Sequence, residues 1–168
     1  MIIENEVTKP DNATLVIRRV LDAPVALAFE AWTAGQHIQQ WMHPEPGMEV
    51  PSAMMDLRVG GKFRIQMKKP PNGDYFTAAG EFREVNAPHK LVYTWDWEVD
   101  GSGEDFGELE GQESLITVEF VERGAKTEFI MTHTRFATVD SRDNHARGWG
   151  RAVDSLADYI ASGAVTSA

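Results

Sequence analysis

The sequence predicts an α+β fold in which an antiparallel sheet is covered by one long C-terminal helix. Strand-like and helical runs are segregated rather than alternating, which argues against a parallel sheet. Turn signals separate successive strands at Gly60-Gly61, at 70–74, at Asn86-Ala87-Pro88 and at Arg123-Gly124-Ala125, as hairpins require. Near the C-terminus, Trp149, Val153, Leu156 and Ile160 recur at intervals of four, three and four, making one apolar stripe of about three helical turns.

Each element follows from local chemistry. Residues 1–12 read as an N-terminal tail, and the β-rich run TLVIRRVL at 14–21 opens a single domain over residues 13–162. Asp22-Ala23-Pro24 stops that strand, and proline suits the first turn of a helix because its missing N–H would be unpaired there. From Val25 the positions Leu27, Ala28, Ala31 and Trp32 keep helical spacing until Thr33 to Gly35. QHIQQWM predicts a second short helix ending before Pro44, and HPEPGMEVPS, with its prolines and glycine, reads as loop. Strands are then predicted in MMDLRV, KFRIQMKK, YFTAAGEFREV, KLVYTWDWEV, SLITVEFVE and KTEFIMTHT. The count is one strand, two short helices, six further strands and a helix from about Ser141, with residues 163–168 as a frayed tail.

One strand raises the functional question. In LVYTWDWEVD, Leu91, Tyr93, Trp95 and Trp97 fall on one face, and Val92, Thr94, Asp96 and Glu98 fall on the other. Such an aromatic face fills an ordinary core or forms the wall of a pocket.

Composition narrows the classes. A 168-residue chain buries roughly 70% of its unfolded surface without staples. Cysteine is absent, which excludes disulfides, thiolate metal sites and a cysteine nucleophile. No signal peptide and no membrane span is evident, so a cytoplasmic location is expected. The net charge of −10 argues against binding to nucleic acid or anionic membranes. Acids concentrate between Glu98 and Glu113 with no Lys or Arg among them, and four glycines there suggest a solvated, flexible loop. The spacing does not match a calcium loop.

Six pieces carry a resemblance: IRRVLDAPVALAFEAWT at 17–33, QQWM at 39–42, DLRVGGKFRIQM at 56–67, GEFREVNAPHKLVYTW at 80–95, TVEFVERGAKTEFIMTH at 117–133 and RGWGRAVDSLADYI at 147–160. In this order they resemble the heat-shock-protein-90 ATPase activator homologue family of the START-like superfamily, which also holds the birch pollen allergen and polyketide cyclases. The resemblance implies a helix-grip fold: a curved seven-stranded antiparallel sheet wrapped around the C-terminal helix, with the two short helices closing one end of a cavity. Family members named for chaperone activation carry an additional N-terminal domain. No such domain is expected within these 168 residues, and chaperone contact is not expected either.

The resemblance and the strand alternation together place Phe63, Ile65, Met67, Tyr93, Trp95 and Trp97 on the concave face. Phe129, Met131 and His133 share that face, opposite Trp149, Val153 and Leu156 of the helix, with Trp41 from the second short helix. These side chains suit either a packed core or an apolar pocket. A neutral His133 could exchange a hydrogen bond with a ligand, or be satisfied by a neighbouring hydroxyl or carbonyl. His37 and His43 lack the i, i+4 spacing of paired metal ligands, and His145 is expected at the surface. No metal and no cofactor is expected. Gly148 and Gly150, inside the helix, look structural.

No nucleophile elbow, phosphate loop or dinucleotide motif appears. The leading expectation is therefore a binding protein for a small apolar or lipid-like molecule. One alternative is a polyketide cyclase- or dehydratase-like enzyme, for which His133, Arg64 and Glu113 are candidate acid–base groups, Arg64 facing solvent on its alternation. The other is a protein–protein module, a chaperone cofactor or a homodimer.

Overall fold

Alternating apolar residues become strands with one buried face, and a computed structural model describes them over residues 4–70, 73–98 and 113–165. The strands are β1 (Glu6–Asp11), β2 (Thr14–Leu21), β3 (Glu49–Met55), β4 (Lys62–Lys69), β5 (Asp74–Asn86), β6 (Lys90–Glu98), β7 (Ser114–Arg123) and β8 (Lys126–Thr134). The helices are α1 (Val25–Thr33), α2 (Gly35–Trp41) and α3 (Val139–Ala161). All strand pairs are antiparallel, in the order β1-β2-β8-β7-β6-β5-β4-β3. Consecutive strands β2 and β3 therefore lie far apart in the sheet, and α1 and α2 carry the chain between them. This is the helix-grip arrangement.

The sheet has eight strands rather than the expected seven. The additional strand is β1, which comes from the stretch expected to be a tail and pairs Glu6 with Arg18 and Thr8 with Val16. All six of its residues are exposed, so it has no apolar alternation to betray it. Pro10 is tolerated because this is an edge strand, where a missing N–H removes no ladder bond. Side chains also tie this edge to α3. Lys9 Nζ lies 2.9 Å from Asp143 Oδ1, and Arg142 Nη1 donates to Asp11 O at 2.7 Å.

The other edge also differs from expectation. β3 begins at Glu49, inside the stretch read as loop, and it carries Pro51 beside a register shift between Glu49 and Ser52. Again an edge accommodates the proline. Gly60-Gly61 is not a two-residue hairpin turn, because β3 has already ended at Met55. Gly60, at φ +83°, donates to Phe82 O at 2.8 Å, and Phe82 N donates back to Gly61 O at 2.9 Å, so this loop pairs with β5.

β5 carries a local irregularity. A register shift falls between Phe82 and Glu84, and a Cβ at Gly80 would lie 1.9 Å from Thr94 O. Only glycine permits that approach.

α3 starts slightly earlier than expected, where Ser141 N donates to the Thr138 hydroxyl at 3.0 Å as an N-cap. Its stripe of Trp149, Val153, Leu156 and Ile160 is buried. Beyond the helix Val165 is buried too, so the C-terminal stretch returns to the core before the described residues end. Trp32 is the hub beneath α1. Its ring lies 5.0 Å from Trp41, 5.0 Å from Phe129 and 5.8 Å from Trp149, and its Nε1–H donates to Tyr93 Oη at 3.2 Å. The acidic loop expected between Glu98 and Glu113 falls, at residues 99–112, outside the described residues.

Candidate ligand cavity

The packing of α3 against the sheet leaves a cavity of about 250 Å³. Met67 of β4, Phe76 of β5 and Trp95 and Trp97 of β6 form the sheet side, because alternation turns all four toward the helix. Met42 and Met48, from the segment after α2, form one bank. Gly148, Trp149 and Ala152 form the other, one turn apart on α3. Trp95 and Trp149 stand 4.9 Å apart at 54°, while Trp95 and Trp97 meet edge to face at 5.5 Å and 87°. A Cβ on Gly148 would lie 3.4 Å from Pro44 Cβ, an ordinary contact that would occupy part of this space.

Beside the cavity, buried His133 and half-buried His145 are satisfied within the protein. Trp149 Nε1–H donates to His133 Nδ1 at 3.1 Å, which leaves the proton on His133 Nε2. That N–H meets Ser114 Oγ at 2.7 Å, and the hydroxyl donates to Trp95 O at 3.1 Å. Each donor in this chain has one acceptor. Burial pushes the His133 pKa well below the usual imidazole value, and the neighbouring His145 adds to the effect. His145 mirrors the arrangement. Trp97 Nε1–H donates to its Nε2 at 3.1 Å, so its Nδ1–H donates to Ser141 O at 2.8 Å. Burial lowers its pKa as well, opposed in part by the Ser141 carbonyl. Expected at the surface, His145 instead borders the cavity, because it sits one turn before Trp149 on the buried stripe.

A contrasting polar group is Trp95 Nε1–H. Trp95 is 4% exposed, yet among the described residues its indole N–H has no hydrogen-bond partner. A buried unpaired donor costs about 1–3 kcal/mol.

Charge gathers at the mouth. Asn144, Arg147 and Arg151 of α3 are exposed there, and Glu45 lies on the opposite bank. Arg147 hydrogen-bonds Asn144 Oδ1, and Arg151 Nη1 donates to Pro44 O at 3.3 Å.

The structure distributes the sequence-predicted residues over three environments. Met67, Trp95, Trp97 and Trp149 border the main cavity. Trp41, Phe63, Ile65 and Tyr93 border a separate inner void of about 20 Å³, which Trp95 and Trp149 also reach. Phe129, Met131, His133, Val153 and Leu156 are fully buried and border neither space. Sequence reasoning missed Met42, Met48, Phe76, His145, Arg147 and Arg151. Phe76 and His145 had a signal, since each extends an alternation or stripe already read. Met48 had little, lying in a proline-rich segment where its one apolar companion is Val50 two residues on.

The candidate acid–base groups do not converge. Arg64 is on the outside and pairs with Glu98 at 2.9 Å, Glu113 is exposed at the start of β7, and both nitrogens of His133 are occupied. Among the described residues no cluster of three or more His, Asp or Glu could hold a metal ion. His37 instead fastens α2 to α3 through Tyr159 Oη, 2.6 Å from its Nδ1.

Solved structures similar to this one share its fold at low identity. A crystal structure of a Rhodobacter sphaeroides protein superposes with a TM-score of 0.78 at 20% identity, covering 95% of this chain and 99% of that one. The AHSA1 protein of Silicibacter pomeroyi gives 0.76 at 23% identity, covering 90% and 99%. The AHSA1-like protein of Aeromonas hydrophila gives 0.74 at 18% identity, covering 92% and 96%. Identities this low carry the fold alone. No curated protein matches the sequence. Residues 22–161 match the family described as Activator of Hsp90 ATPase homolog 1-like protein, and the chain belongs to that family.

Proposed function

We propose that the protein binds a small, flat, predominantly apolar molecule in the cavity between α3 and β4–β6. The observation that carries this reading is the lining. Three methionines and the rings of Phe76, Trp95, Trp97 and Trp149 surround about 250 Å³. Methionine adapts to irregular shapes and aromatic rings bury large areas, the combination that small-molecule sites use. A cavity of roughly 150 Å³ accepts benzene, and drug-sized sites begin near 300 Å³, so one or two rings or a short acyl chain suits this space.

A thermal-shift screen of one- and two-ring aromatics and short acyl compounds tests the reading. A binder present at 100 times its dissociation constant adds about 2.7 kcal/mol of stability. Gly148→Leu should abolish that gain by filling the mouth without unfolding the protein, since leucine is a better helix former than glycine and only Pro44 stands within 4 Å. No stabilising compound, or a stabilisation that survives Gly148→Leu, would contradict the proposal.

A further inference from the structure

We infer that the ligand carries an anionic group, a carboxylate or its equivalent, which Arg147 and Arg151 receive at the mouth while the apolar body lies among the tryptophans. This inference rests on the cavity reading above and adds the chemistry of one end. Arg147 and Arg151 are one turn apart on α3, so both guanidinium groups serve the same side of the mouth. Elsewhere on the protein arginines are mostly matched with acids. Arg18 pairs with Glu128, Arg19 with Asp154, Arg58 with Asp56, Arg64 with Glu98 and Arg142 with Asp143. In a chain of net charge −10, acids are in excess, yet among the described residues neither Arg147 nor Arg151 has an acidic partner. Each spends one donor on a neutral oxygen, Arg147 on Asn144 and Arg151 on the Pro44 carbonyl.

A guanidinium group presents five donors, so each retains donors for a planar anion, which it can grip with two parallel bonds. Among the described residues Glu45 is the one carboxylate bordering the cavity, and it forms no ion pair with either arginine. Among the described residues the mouth thus carries two arginines against one carboxylate on an acidic protein. His145, the remaining titratable group there, has its Nδ1–H committed to Ser141 and its Nε2 to Trp97, so it competes for no anion. An apolar body with an anionic end matches this division: a dry inner wall and two arginines with donors to spare at the water boundary.

The experiment compares 2-naphthoate with 2-naphthamide, which share the two-ring body and differ in charge, by calorimetric titration of the full chain at low and high salt. Naphthoate should bind about ten-fold more tightly, the scale of a charge-assisted hydrogen bond, with the preference shrinking as salt rises. In the double variant Arg147→Gln/Arg151→Gln the ratio of the two dissociation constants should fall toward one. Equal affinities in the native protein, or a preference that persists in the double variant, would overturn the inference and leave the cavity reading standing. Failure of both compounds to bind would overturn the two together.

Discussion

His133 and His145 lie with their rings 5.2 Å apart, and each accepts a hydrogen bond from an indole N–H. That arrangement requires both imidazoles to be neutral at the accepting nitrogen. Burial holds both pKa values below the ordinary 6.5, and the same holds for His43. The sign follows directly. In the unfolded chain these groups take up protons near pH 6.5, while in the fold they do not, so the unfolded state binds more protons as pH falls. Stability is complete above that pH and is lost on acidification through the window below it, by at most about 1.4 kcal/mol per pH unit for each histidine. The depressed carboxyls of Asp11, Asp143 and Glu128, with ordinary values of 3.8, 3.8 and 4.5, titrate lower still and leave the range from pH 6.5 to 5 to the histidines. We expect the melting temperature to fall over that range and the fall to be shallower in His145→Gln. A melting temperature constant from pH 7 to 5 would show that these imidazoles are not held neutral.

At the scale of elements, what could be read from the sequence was what buries one face. β6 alternates and α3 carries a stripe, so the inward aim of Tyr93, Trp95, Trp149, Val153 and Leu156 follows from the sequence alone. The edges could not be read the same way. β1 buries nothing, and β3 contains a proline that only an edge tolerates. The cavity was half legible for a related reason. Its sheet wall follows from alternation, whereas Met42 and Met48 come from an irregular segment whose position depends on tertiary packing. Alternation also could not separate wall from core, since Met131 and Met67 face the same way but only Met67 borders the cavity. α3 offers a direct check of its glycines. A Cβ at Gly150 meets nothing closer than Asn5 Nδ2 at 3.9 Å. Gly150→Ala should therefore stabilise the protein by up to about 1 kcal/mol, the helix-interior difference between the two residues. In a protein of this size that raises the melting temperature by about 2–4 °C. A lowered melting temperature would mean that α3 must approach its neighbours more closely at Gly150 than 3.9 Å.

For the molecule as a whole, the distribution of apolar surface favours an internal site. Among the described residues the exposed large apolar side chains, Val7, Met54, Val59, Tyr75 and Val139, fall on β1, β3, the loop after it, β5 and the start of α3. Side chains scattered over separate elements do not make the contiguous patch that a protein interface uses. The large apolar lining lies instead between α3 and the sheet, under a mouth carrying two arginines. The most direct measurement uses the five tryptophans themselves, through the indole N–H signals of the ¹⁵N-labelled protein during titration with 2-naphthoate. We expect the signals of Trp95 and Trp97 to shift most, because both rings border the cavity and the Trp95 N–H is unpaired. The Trp41 signal should stay in place, since its N–H is held by Ala31 O at 2.7 Å beneath α1. Unmoved Trp95 and Trp97 signals at saturating ligand, or shifts confined to Trp32 and Trp41, would contradict a ligand site between α3 and the sheet.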